Sequence, residues 1–293
     1  MELRVLQYFL AVAREQSISA AAESLHLTQP TLSTQLRAME EELGKQLLIR
    51  GAKGSRRVLL TEEGMILRKR AEEILALVQR TEEEITHDDE AVVGDVYIGA
   101  GETDIVRLLA RAAREIQKQH PDIRYHISSG NAEHVLEQLD KGLIDFGLLF
   151  GRTDTQKYEA LPLPGKDTWG VLMRRDAPLA EKASVAPGDL LEKPLILTDQ
   201  PDDAQLLTRW LSPAGGAPHV VATYNLVYNA SLLVDEGLGY ALCLDRLINT
   251  DGSRLCFRPL SPPLESAASL VWKKYPAFSK AARTFLSCLR GLL

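Results

Sequence analysis

The sequence predicts an α/β protein of 293 residues with an all-α N-terminal block, a long connecting helix and two α/β lobes. Three successive patterns predict it. Short apolar runs at helical spacing fill the chain to about Leu60, strong helix formers without an internal proline run from Thr61 to about Thr86, and strand and helix signals alternate from Gly94 onward. The expected parts are residues 1–60, 61–90 and 91–293, the last divided into lobe I (about 91–162 and 264–293) and lobe II (about 163–263).

Charge and cysteine usage narrow the class. With 34 Lys+Arg against 40 Asp+Glu the net charge is -6, which excludes coating of nucleic acid by bulk charge and leaves room for a local basic face. Cys243, Cys256 and Cys288 are far apart with no Cys/His cluster, so buried thiols in a reducing cytoplasm are expected and no metal site. The start Met1-Glu2-Leu3-Arg4-Val5 lacks a secretory pattern and no apolar run approaches a membrane span, so a soluble cytoplasmic protein without a membrane partner is expected.

In the first block Leu6, Phe9, Leu10 and Ala13 mark a helix, and Ser19 is expected to cap a second one through Leu25. Thr28 then supplies a capping hydroxyl, and Pro30 fits a first helical turn, where its missing N–H would have no partner. Leu32, Leu36, Met39 and Leu43 face inward while Gln29, Ser33, Thr34 and Arg37 face outward, and Gly44 stops the helix. Two short helices around a tight turn, the second with such a face, describe a helix-turn-helix. The DNA contacts expected from this helix are Thr28, Gln29, Pro30, Thr31, Ser33, Thr34 and Arg37, since Gln pairs with adenine, Arg with guanine, and hydroxyls reach bases or phosphates. From Leu47 to Leu60 two short strands around a Gly-rich turn carry Arg50, Lys53, Arg56 and Arg57 and no acid, a wing suited to phosphates.

In the connecting helix Leu67, Ala71, Ile74, Val78, Thr81 and Ile85 alternate at spacings of four and three, a coiled-coil seam, and Thr61 is the expected N-cap. At 1.5 Å per residue the helix spans roughly 39 Å, so a partner helix is expected along Leu67, Ala71, Ile74, Val78 and Ile85. Asp88-Asp89-Glu90 reads as a solvated hinge.

The string Ala21-Ala22-Glu23-Ser24-Leu25-His26-Leu27-Thr28-Gln29-Pro30-Thr31-Leu32-Ser33-Thr34-Gln35-Leu36, with Met39 to Leu48 and Leu60-Thr61-Glu62-Glu63-Gly64 after it, closely resembles the N-terminal signature of LysR-type transcriptional regulators. Thr34, where many members carry Arg, and a slightly long wing are departures that bear on the operator sequence. The resemblance implies double-stranded operator DNA as a partner, pairing of protomers through the linker helix, a homodimer or homotetramer, and RNA polymerase as a further partner.

Beyond the hinge, strands are expected at Val93 to Ala100, Ile123 to Ser128, Leu143 to Phe150, Trp169 to Met173, Pro194 to Thr198, Val220 to Thr223, Tyr240 to Leu244 and Ala268 to Trp272, with helices between them, one of which is capped by Asn131 and ends at Gly142. This alternation predicts parallel sheets in two lobes, joined by crossings near Leu161 to Pro164 and Pro259 to Leu264, with a cleft at the strand ends. This half also resembles the LysR-type regulatory half, which is similar to a periplasmic solute-binding protein, and a small-molecule effector follows from that. Gly101, Glu102, Thr103, Ser129, Gly130, Thr198, Gln200, Thr223 and Asn225, at strand-to-helix turns, are the expected effector contacts. Free N–H groups at helix starts make a small carboxylate or oxyanion the first choice; Glu102 would repel it and makes an amino acid or amine the second.

An enzyme is not expected. Gly99-Ala100-Gly101 opens like a dinucleotide fingerprint but Asp104 stands where its third glycine belongs, and GxSxG, HExxH, a P-loop and metal-spaced histidines are missing. No cofactor and no catalytic residue are therefore expected. The competing reading is a cytoplasmic α/β small-molecule-binding protein or a Rossmann-like enzyme without a DNA role.

Overall fold

The computed structural model describes residues 1–50, 57–86, 92–151, 154, 156–276 and 278–293. Lys53 and Arg56 of the wing and the hinge 88–90 lie outside them. Contacts divide the chain into two compact units, Met1–Asp88 and Asp89–Leu293, so the long helix folds with the N-terminal block.

The first unit runs α1 (Leu3–Glu15), α2 (Ile18–Ser24), α3 (Gln29–Leu43), β1 (Leu48–Arg50), β2 (Val58–Leu60) and α4 (Glu62–Thr86). Local chemistry sets the boundaries. The α2 cap is Ser17, which accepts from the Ala20 N–H, and not Ser19, because Ile18 already has its place in the helix. Thr28 caps α3 and Gly44 ends it at φ 65°, in the left-handed region where a Cβ is costly. Strands β1 and β2 pair antiparallel with Leu48 opposite Leu60. Phe9, Val12, Ala21, Leu32, Leu36 and Met39 form the core.

Ala71 corrects the seam. It is fully buried in this same core, and Leu67 and Ile74 pack against it, because α1 of the same chain already covers that face of α4. Val78 is half-buried; of the large apolar residues of α4, Met65 and Ile66 are exposed near its start and Leu77 and Ile85 on the length beyond Ala71.

The second unit runs β3 (Gly94–Ala100), α5 (Val106–Gln117), β4 (Ile123–Ser129), α6 (Ala132–Asp140), β5 (Phe146–Phe150), β6 (Tyr158–Pro162), β7 (Asp167–Arg174), β8 (Leu195–Thr198), α7 (Pro201–Leu211), β9 (Val220–Tyr224), α8 (Val227–Asp235), β10 (Tyr240–Leu244), β11 (Leu255–Pro259), β12 (Glu265–Ser266), β13 (Ala268–Lys273) and α9 (Lys280–Gly291). Lobe I has the strand order β4-β3-β5-β13-β6, and lobe II β11-β7-β10-β8-β9 with β12 on β7. The sheets are mixed, not purely parallel. Strand β3 runs parallel to β4 and β5, and β8 to β9 and β10, but β13 is antiparallel to β5 and β6, and β7 to β10 and β11. Strands β6, β11 and β12 were not expected from the sequence; they carry few alternating apolar residues, and Pro162 and Pro259 disguise the strands they end.

The lobe I core stacks Phe146 against Phe285 at 5.5 Å between ring centroids, with Trp272 edge-on to Phe146. Lobe II closes around Trp169, Val171, Leu195, Leu207 and Leu242. The strand-to-helix turns of both lobes, Ala100 to Thr103 and Ser129 to Asn131 in one and Thr198 to Pro201 and Tyr224 to Val227 in the other, meet at one cleft.

Candidate functional site

The first functional surface is the start of α3. Thr28 Oγ1 accepts from the Thr31 N–H at 3.3 Å and pairs with Thr31 Oγ1 at 2.7 Å, which fixes the helix entry. Gln29, Pro30, Thr31, Thr34 and Arg37 are exposed and Ser33 is half-buried, while Leu32, Leu36 and Met39 anchor the opposite face. The helix therefore offers an amide, hydroxyls and a guanidinium on one side.

Glu40 is a residue the sequence did not single out. Its Oε1 accepts from the Leu47 and Leu48 N–H groups at 2.8 and 3.0 Å, holding the start of β1 on α3. Its other oxygen takes Arg50 Nη2 at 3.4 Å, so Arg50, expected on phosphate, also braces the wing base. Arg57 is exposed at the start of the second wing strand.

The second surface is a cavity of about 810 Å³ between the lobes. Gly101, Glu102, Ser129, Gly130, Thr198, Gln200 and Asn225 line it. Two expected contacts do not. Thr103 is buried behind the wall, where its Oγ1 donates to the Asp167 carboxylate and accepts from the Ile105 N–H, so its hydroxyl ties the first strand-end turn to the start of β7. Thr223 is exposed away from the cavity, and the next residue, Tyr224, takes its place, since successive side chains of a strand point to opposite faces.

The cavity also holds residues that the sequence did not mark, among them Phe150, Trp169, Asn131, Glu133, His134, Asp199, Asp202 and Asp203. Asn131 was legible only as a cap, and it is one: its Oδ1 accepts from the His134 N–H at 2.8 Å. Glu102 reaches across the cleft and accepts from the Val227 N–H of α8 at 2.6 Å. Asp104 and Arg246 make a second link between lobes at 3.5 Å. Tyr224 donates to the Leu242 carbonyl, and its hydroxyl is held far above the ordinary phenol range by burial, then by Cys243, Asp203, Glu102 and Asp199. Carboxylates from both lobes thus act on one ring.

A winged helix-turn-helix unit followed by a two-lobed α/β unit with a polar cleft is the architecture of a ligand-responsive DNA-binding protein. Comparison with known proteins makes this specific. The model described as "Bacterial regulatory helix-turn-helix protein, lysR family" matches residues 3–65, and "LysR substrate binding domain" matches residues 90–293. The uncharacterized HTH-type transcriptional regulator YvbU of Bacillus subtilis is 25% identical over 296 residues, covering 100% of this chain and 99% of that protein. A hydrogen peroxide-inducible genes activator of Dickeya chrysanthemi is 32% identical over 200 residues, 68% of this chain and 64% of that one. The structure of full-length CbnR complexed with its target DNA has the same fold, with a TM-score of 0.80 at 21% identity over the whole of both chains. The chain belongs to the LysR family of DNA-binding transcriptional regulators. Regulators of this type bind DNA, take small-molecule effectors and form oligomers.

Proposed function

We propose that this chain is a cytoplasmic, non-enzymatic regulator whose operator affinity is set by a small molecule held in the cleft. The observation that carries the reading is the Val227 to Glu102 hydrogen bond across the cavity. An occupant must accommodate or replace that bond, and so it interacts differently with different lobe arrangements, the condition for shifting an equilibrium. Gly101, Glu102, Ser129, Gly130, Thr198, Gln200 and Asn225 are the proposed effector contacts. The reading requires no metal or cofactor. No described helix is long and apolar enough to cross a membrane. The test is operator binding by the full-length protein titrated with a bacterial metabolite extract: a changed affinity supports effector control, and an affinity unmoved at every concentration counts against it.

Gln29, Thr31, Ser33, Thr34 and Arg37 are proposed to face bases, Thr28 and Pro30 to set the helix entry, and Arg57, with Lys53 and Arg56, to meet phosphates. Gln29→Ala is expected to cost about 1–2 kcal/mol at the cognate site and to relax base preference, whereas Arg57→Ala weakens all sequences alike and lowers the salt slope by about one. Fluorescence anisotropy on operator and scrambled duplexes separates the two, and an unchanged base preference in Gln29→Ala would remove this residue from the readout.

Protomers are proposed to pair along the free length of α4, through Leu77, Val78 and Ile85. Leu77→Asp with Ile85→Asp places charges on an exposed apolar stripe without touching the core that holds Ala71. Sedimentation velocity should show a shift toward monomer while circular dichroism keeps the native helical content; an unchanged assembly places the interface elsewhere.

Peroxide, named for the Dickeya relative, is not the proposed signal. The thiolate is the reactive form of cysteine; Cys243 and Cys256 are buried, and burial pushes the Cys243 thiol up to about 12 and raises that of the half-buried Cys288.

A further inference from the structure

We infer that the cleft takes an organic cation, a protonated amine or guanidinium on an apolar body. The inference rests on the reading of the cleft as the effector site and names the chemistry of its occupant. Glu102 and Glu133 enter the cavity from lobe I, and Asp199, Asp202 and Asp203 from lobe II. Among the described lining residues there is no lysine or arginine, and His134 is the one side chain able to carry a positive charge. An anion placed here would meet five carboxylates.

The second observation concerns the helix starts, which would otherwise attract an anion. At α6 the His134 N–H is taken by Asn131, and Glu133 stands in the first turn. At α8 the Val227 N–H is taken by the Glu102 carboxylate. Helix α7 opens on Pro201, which has no N–H, and carries Asp202 and Asp203 in its first turn. At each start one N–H that a ligand carboxylate would use is therefore taken or missing, and at α6 and α7 acids stand beside the others.

Asp203 is half-buried, its carboxylate makes no hydrogen bond to another described residue, and burial, then the neighbouring Asp202, raises its pKa. A charged donor would supply both a hydrogen bond and the opposite charge. Phe150 and the edge of the buried Trp169 give the same cavity an apolar patch suited to an apolar body.

The test uses the full-length protein and a bacterial metabolite extract separated by ion exchange into cation-retained, anion-retained and unretained fractions. All three tryptophans, Trp169, Trp210 and Trp272, belong to the second unit, so their fluorescence follows the unfolding of that unit alone. The cation-retained fraction is expected to raise the thermal midpoint. In Asp203→Asn and in Glu133→Gln, where one charge is removed at nearly constant shape, about tenfold more of the fraction should be needed for the same shift, the equivalent of one charge-assisted hydrogen bond. Activity confined to the anion-retained or unretained fraction overturns the cationic assignment and leaves the effector cleft standing. A midpoint moved by no fraction overturns both, and so does not favour any charge. A shift by the cation fraction that is the same in both variants places the cation outside this cleft and overturns the assignment.

Discussion

Gly64→Val is expected to abolish operator binding while leaving the second unit folded. A Cβ on Gly64 would lie 2.2 Å from the Leu47 carbonyl oxygen and 3.3 Å from Leu60 Cβ. Neither neighbour can give way cheaply. Leu47 O accepts from the Thr61 N–H at 3.0 Å, Thr61 Oγ1 accepts from the Gly64 N–H and donates to the Gln46 carbonyl, and Leu47 is buried in the core. The start of α4 must therefore move off the wing base, and with it Ala71, which seals the core beneath α3. Overpacking typically costs 1–3 kcal/mol, and a clash with fixed backbone belongs at the upper end, about 3 kcal/mol, a large share of one unit's stability. Circular dichroism should show an early helical unfolding transition while tryptophan fluorescence, confined to the other unit, unfolds at its normal midpoint. Wild-type operator affinity in Gly64→Val would show that the junction can open without harm to α3.

Thr103→Val is expected to destabilise the second unit by about 2–3 kcal/mol, because it removes the hydroxyl that donates to a buried carboxylate and leaves a valine methyl in its place. The pH dependence identifies the cause. Burial raises the Asp167 pKa, and the Thr103 hydrogen bond opposes that rise. A carboxyl raised in the folded state weakens folding as pH rises through the interval between its unfolded and folded values, and below that interval the penalty is absent. Losing the Thr103 hydroxyl widens the interval. The Thr103→Val deficit should therefore be full at neutral pH and shrink as Asp167 becomes protonated. Asp167→Asn in the same chain, which removes the charge at almost constant shape, should recover most of the loss. Chemical denaturation followed by tryptophan fluorescence reads both effects; a deficit independent of pH and unrelieved by Asp167→Asn would mean that packing, not the buried charge, sets the loss.

The sequence located α3, the helix proposed to read DNA, because its signals are local. Thr28, Pro30 and Gly44 act on backbone within a turn of themselves, and Leu32, Leu36 and Met39 repeat on one face whatever lies opposite. The caps Thr61 and Asn131 were legible for the same reason. What covers a face is a different matter. The stripe through Leu67, Ala71 and Ile74 is apolar in the sequence, but periodicity does not distinguish a partner chain from α1 of the same chain, and α1 covers it. Thr103 and Ser129 likewise look alike as hydroxyls after a strand, yet one is sealed against Asp167 and the other lines the cavity.

By itself, then, the sequence determined the caps Thr28, Thr61 and Asn131, the apolar faces of the helices, most of the alternation of strands and helices and the membership of the N-terminal signature, all of which depend on residues within a few turns of one another, while the Ser17 cap and strands β6, β11 and β12 escaped it. Only the tertiary structure decided the charge of the cleft. Glu102 and Glu133 are separated in the chain from Asp199, Asp202 and Asp203 by an entire lobe boundary, and sequence reading, which set open helix starts against the single carboxylate of Glu102, put an anion first and an amino acid or amine second. Folding fills those starts with Asn131, Glu102 and Pro201 and gathers the five carboxylates around one cavity, and electrostatic interaction depends on distance in space, not on separation along the chain.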